Sequence, residues 1–227
     1  MIKEILVAGI KLNNYGAMEN LSRIVKNLDA NVFTTVEDVY LKTILLAKED
    51  ESVKEALECL DITVIAETGV LDAVGQTTIL RRKEIEHRVF FLQFMKILER
   101  NGYTVCILGA DEKEINVAKE YLANEFPRLK IIDSMILLET EDRVVNDINM
   151  LAPDVILSVL PSPLQERFLK DYKPMLLAKV WYGIGAERIA GTRLTFMSKI
   201  IKFFREHMLK KYVQENVEEE HIESKGE

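Results

Sequence analysis
The chain has 227 residues, 48% hydrophobic and 30% charged, with a net charge of −7. That length is enough to bury a core without disulfide or metal staples, and the acidic balance argues against general nucleic-acid binding. No run approaches the ~20 apolar residues that cross a membrane, and the opening MIKEILVAGI is too short for a secretory leader.

In chain order, EILVAG (4–9) reads as a strand. MENLSRIVKNL (18–28) places Met18, Leu21, Ile24, Val25 and Leu28 on one helical face. The β-branched NVFTTV (31–36) reads as the next strand. A helix follows from Val39 to Leu60, with a break near Asp50–Ser52. DITVIA (61–66) is a strand, and residues 79–102 have a helical period that stops at Asn101-Gly102. YTVCILG (103–109) is a strand, followed by a helix over 111–126 with acids in its first turn. LKIIDS is a short strand, 141–152 a helix closed by Pro153, and DVILSVL (154–160) a strand. LQERFLKDY (164–172) is a helix, LLAKVWYGIG (176–185) a strand, and 194–213 a last helix.

Strands alternating with helices predict an α/β fold, Rossmann-like, with a mainly parallel sheet and helices on both faces. The expected organisation is one α/β domain over 1–191, a basic amphipathic helical appendage over 192–214, and a disordered tail over 215–227. The appendage carries Arg193, Lys199, Lys202, Arg205, Lys210 and Lys211 against Glu206. The tail holds six Glu and one Lys. Cys59 and Cys106 lie outside any CxxC or Cys/His cluster, so no metal site is expected, and both thiols are expected to be buried in a reducing compartment.

In an open α/β sheet, ligands bind beyond the carboxyl ends of the strands. That rule selects Thr34-Thr35, Ala66 to Gly69, Gly109 to Asp111, Pro161 to Glu166 and Gly183 to Glu187. Glu67, ending an apolar strand, has the position of a general base, or of a surface acid that opens a turn. Backbone amides after Gly109-Ala110 can meet a phosphate, although Asp111, Glu112 and Glu114 would repel one. Pro161 and Pro163 stiffen the entry to the next helix. Gln165 and Glu166 in its first turn suit a polar ligand, or cap the helix.

At these strand ends the sequence resembles the WecG/TagA/CpsF family of bacterial glycosyltransferases. The likeness runs through VAGIKLNNYGAMENLSRI, VFTTV, CILGADEKEINVAKEYLANEFPRLKII, APDVILSVLPSPLQERFL and WYGIGAERIAG. It implies transfer of N-acetylmannosamine or a related sugar from a UDP-sugar to a lipid-linked acceptor, in teichoic-acid or surface-polysaccharide synthesis. It implies no cofactor. The work would be done in the cytoplasm at the inner face of the cell membrane, with the basic helix on the membrane surface and self-association as a further option. Glu67 and Thr35 fall on the family's catalytic positions. Pro163, Gln165 and Glu166 fall on its substrate-binding turn, and Gly109, Ala110, Gly183, Gly185, Glu187 and Arg193 complete the binding set.

The motifs depart from the family pattern in several places. Glu67-Thr68 replaces Asp-Gly. Glu37 or Asp38 lies where an Asn follows the threonine. Neither residue of a Gly-x-Asp is kept near His87–Val89, and Pro161 replaces a glycine. Gly185-Ala186-Glu187 shortens a Gly-Gly-x-Phe-Asp. The alternative is therefore an inactive relative that keeps the fold and binds a nucleotide sugar or a partner.

Overall fold
A computed structural model describes residues 3–137, 141–185 and 205–214. The chain opens with an antiparallel hairpin of β1 (Glu4–Val7) and β2 (Ile10–Asn13). The turn is Ala8-Gly9, both left-handed with φ of 52° and 78°, as a two-residue hairpin turn requires. A single strand over 4–9 is thereby corrected to two, and Ile5, Val7, Ile10 and Leu12 all turn into the core.

Helix α1 (Ala17–Asp29) leads into β3 (Thr34–Val39), which is followed by α2 (Leu41–Glu49) and α3 (Glu51–Glu58). The break between these helices is Asp50, whose carboxylate caps α3 by accepting from the Ser52 N–H. Next come β4 (Ile62–Ile65), α4 (Thr68–Ala73), α5 (Ile79–Glu86) and α6 (Val89–Asn101). The expected continuous helix over 79–102 is broken at Arg88, which is left-handed with φ 49°. A non-glycine residue there costs roughly 1–2 kcal/mol. Arg88 is held by Tyr121 Oη, to which it donates at 3.0 Å, and by the rings of Phe91 and Tyr121. The remainder is β5 (Thr104–Gly109), α7 (Glu112–Glu125), β6 (Lys130–Ile136), α8 (Glu141–Leu151), β7 (Val155–Ser158), α9 (Leu164–Tyr172) and β8 (Val180–Gly183).

Six strands form one all-parallel sheet in the order β4-β3-β8-β7-β5-β6. Alternation along each strand feeds two cores. Val36, Val105, Ile107, Val155, Leu157 and Tyr182 face α1, α6 and α7. Val39, Cys106, Leu108, Ile156 and Trp181 face the hairpin, α2, α3, α8 and α9. The fold is thus the expected Rossmann-like α/β layer structure with both faces covered. Cys106 is buried, and burial pushes its thiol up to about 12, but Cys59 is exposed, contrary to expectation.

Residues 205–214 are helical. Leu209 is fully buried in the second of these cores, Tyr212 and Val213 pack on it, and the Lys48 ammonium lies 5.8 Å from the Tyr212 ring centroid. Met208 is exposed. Among the described residues no helix is long and apolar enough to cross a membrane. Truncating a fully buried leucine removes apolar contact and leaves a cavity. Leu209→Ala is therefore expected to destabilise the protein by about 2–4 kcal/mol, read by urea unfolding; a change within error would show that this helix contributes nothing to the core.

Candidate active site
All six strands run the same way, so their carboxyl ends share one edge. There β3 passes into Tyr40 and α2, β4 into Ala66-Glu67 and α4, and β7 into the Pro161–Pro163 turn and α9. Glu67 is half-buried. Its Oε2 accepts the backbone N–H of Leu41, the first residue of α2, at 2.9 Å. No side chain of the N-cap Tyr40 serves that helix start. The partial positive charge of a helix N-terminus favours a carboxylate there, so α2 fixes the direction of Glu67. Tyr40 Oη donates to Ile184 O at 3.2 Å and ties the end of β3 to the end of β8.

Beside this lies a buried polar cluster. Glu37, in mid-β3, is 1% exposed, and Gln165 and Glu166 on α9 are 2% and 0% exposed. The Glu37 carboxyl lies against the side chains of Glu166 and Gln165, and Glu37 Oε1, Gln165 Oε1 and Glu166 Oε2 are buried with no hydrogen-bond partner. Burial, followed by the charge of Glu166, pushes the Glu37 carboxyl well above the usual carboxylate range. The Ser162 hydroxyl donates to Glu166 Oε1 and meets Thr43 Oγ1 of α2 at 3.3 Å. On the opposite face of β3, Tyr182 Oη donates to Asp38 Oδ1 at 3.0 Å. Next to β4, a narrow pocket is lined by Tyr15, Asn20, Arg81, Glu84 and Arg88.

A scan against protein families matches residues 5–192 to the glycosyl transferase WecG/TagA/CpsF family. The chain belongs to this family. Comparison with curated proteins gives no match.

For this family member, the geometry separates the residues expected from sequence. Glu67, Pro163, Gly183 and Gly185 stand at the carboxyl edge, with Pro163 as the residue that opens α9 and Gly185 left-handed at φ 67°. Gly183 is required by packing: a Cβ there would lie 2.6 Å from the Gln165 amide carbon. Gly109 likewise admits Ile115 of α7, which would sit 2.7 Å from a Cβ. The turn after it is closed by its own acids. Asp111 accepts the Glu114 N–H at 2.7 Å, and Glu114 accepts the Ala110 N–H at 3.3 Å, a reciprocal capping arrangement. Glu187 and Arg193 lie outside the described residues.

Thr35 requires a correction. Strand β3 begins at Thr34 rather than ending at Val36, so Thr35 sits at the amino edge, away from Glu67. Its N–H and hydroxyl both bond Asp61 Oδ2, at 2.8 and 2.7 Å, and its Oγ1 accepts the Asp61 N–H at 3.1 Å. Thr104 and Asp154 repeat this clamp between β5 and β7. Sequence reasoning missed Glu37, Thr43, Ser162 and Tyr182 as members of the network. The available signal was Glu37-Asp38 set between β-branched residues.

Thr35→Val is expected to lower stability by about 1–2 kcal/mol, the cost of losing the two hydrogen bonds its hydroxyl makes with Asp61, with little change in ligand binding at the far edge. Thermal unfolding beside calorimetric UDP titration checks this; lost binding at unchanged stability would return Thr35 to the site.

Proposed function
We propose that the protein transfers N-acetylmannosamine or a related sugar from a UDP-sugar to a hydroxyl of a lipid-linked acceptor, at the cytoplasmic face of the membrane. The observation that carries this reading is the Glu67 carboxylate at the carboxyl end of β4, oriented by the first N–H of α2. In the proposed step Glu67 takes the proton of the acceptor hydroxyl. The acceptor oxygen forms its bond to the anomeric carbon from the face opposite the leaving group. The bond from that carbon to the phosphate oxygen breaks, and UDP leaves with the electron pair, inverting the sugar. The strand ends around Tyr40, Ser162 and Gly183–Gly185 form the wall against which the donor lies. Gln165 and Glu166 shape that wall from behind, since both are buried.

An inactive relative is the second reading. It is favoured by the same contact, because Glu67 also serves as the side-chain acceptor at the start of α2. The longer side chain shifts the carboxylate by about one methylene relative to an aspartate, and ~1 Å of displacement at a base can be costly. Glu67→Gln separates the two readings. It is expected to lower kcat by ~10²–10⁴, the usual worth of a general base, with UDP affinity nearly unchanged. Equal turnover by Glu67→Gln and the parent removes Glu67 from the chemistry, and the absence of turnover of any UDP-N-acetylhexosamine by the parent supports the inactive reading.

Membrane attachment rests on the basic composition of 192–214. Lysines near an anionic surface contribute about 1 kcal/mol each and are screened by salt. The full chain is expected to co-sediment with anionic vesicles at low salt, and Lys210→Glu with Lys211→Glu to weaken that binding. Recovery of the full chain in the supernatant at low salt would exclude the surface role.

A further inference from the structure
Glu37 is on the α9 face of the sheet, where its register partners are Gly183 on β8 and Thr63 on β4. Neither can titrate. The charged group that faces it is Glu166 from α9; Asp38, the next residue on its strand, points to the opposite face and adds only its charge. Two carboxylate oxygens, Glu37 Oε1 and Glu166 Oε2, are buried with no hydrogen-bond partner. The two side chains nonetheless lie against each other. Two carboxyl groups packed together in a dry interior, each with an unpartnered oxygen, avoid both desolvated charge and mutual repulsion by holding one proton between them.

We propose that Glu37 is a positioning residue for the site: by sharing one proton with Glu166 it locks the Pro161–Glu166 turn, and through Gln165, packed on Gly183, the end of β8. The contacts continue outward. Glu166 accepts the Ser162 hydroxyl, and Ser162 meets Thr43 in the first turn of α2, the helix whose first N–H orients Glu67. Loss of the shared proton sets two like charges in contact in a dry interior, and the cheapest relief is outward movement of the first turn of α9. That movement breaks the Ser162 contacts and loosens the wall formed by the β7 and β8 ends. The proposal rests on the donor lying at this edge.

The sign of the pH effect follows from linkage. The folded state holds the Glu37 proton more tightly than the unfolded chain does. Stability is therefore undiminished below the ordinary glutamate range, and falls as pH rises from that range through the raised value. Glu37→Gln keeps a donor toward Glu166 that no base removes.

Trp181 supplies a readout without ligand. It is the only tryptophan in the chain, is fully buried, and stacks on Phe168 of α9 with ring centroids 5.7 Å apart. The parent and Glu37→Gln are compared from about pH 5 to about pH 9 by Trp181 fluorescence, by melting temperature and by calorimetric UDP binding. The parent is expected to change its Trp181 emission, melt earlier and bind UDP roughly tenfold more weakly toward high pH, and Glu37→Gln to remain flat in all three. Parallel fluorescence and melting profiles for the two proteins overturn the proposal. So does a carbon-13 NMR titration of the parent in which the Glu37 carboxyl ionises in the ordinary glutamate range, a measurement that needs no variant. If UDP binds neither protein while the fluorescence profiles diverge as expected, the donor assignment falls and the proton-sharing turn stands.

Discussion
Burial of the central strands on both faces is the constraint from which the rest of the structure follows. The side chains of β3, β7 and β8 are covered by helices on either side, and every residue of these three strands is buried. Water can reach these three strands only beyond their ends. Polar groups within them must find partners inside the protein or cost several kcal/mol. Most positions answer this with apolar side chains. Three of the exceptions on β3 are answered by side-chain partners, Thr34 by Asn27, Thr35 by Asp61 and Asp38 by Tyr182, and Glu37 is set against Glu166.

Helix starts at the carboxyl edge divide in the same way between self-sufficient and dependent. Helix α7 is capped locally: its N-cap Asp111 accepts the Glu114 N–H, and Glu114 accepts the Ala110 N–H just before the helix. That arrangement leaves little there for a phosphate to gain. Helix α2 has no side chain of its own at the N-cap and takes Glu67 from the neighbouring strand end. A carboxylate held this way has a fixed direction. That is useful to a base, and equally useful to a fold that has stopped doing chemistry.

The layer architecture was legible because its signals are local. The apolar runs of β5 and β7 and the stop at Asn101-Gly102 depend on residues a few positions apart, and the structure keeps them within a residue or two. The second strand of the hairpin was hidden by Ala8, which gives no sign of a left-handed backbone. Strand β3 was misplaced for a different reason. Hydrophobic runs end it at Val36, since Glu37-Asp38 look like solvent-facing residues. Only the arrival of α9 and Tyr182, more than a hundred positions later, makes two acids tolerable inside a sheet. Thr35 was drawn to the wrong edge by the same shift. The turn from Pro161 to Glu166 was visible as a rigid element, but its inward orientation depends on Gly183 and could not be read locally.

The two threonine–aspartate clamps have a consequence for how this fold can diverge. Each joins the first residues of one strand to the residue just before its neighbour, at the edge remote from Glu67. Strand alignment is thus anchored at one rim of the sheet, and the opposite rim is released from that duty. Loops there can exchange aspartate for glutamate, drop a glycine or shorten a motif while the scaffold stays in register. A lineage built this way can retune or abandon its chemistry by drift at one rim, long before its architecture records the change.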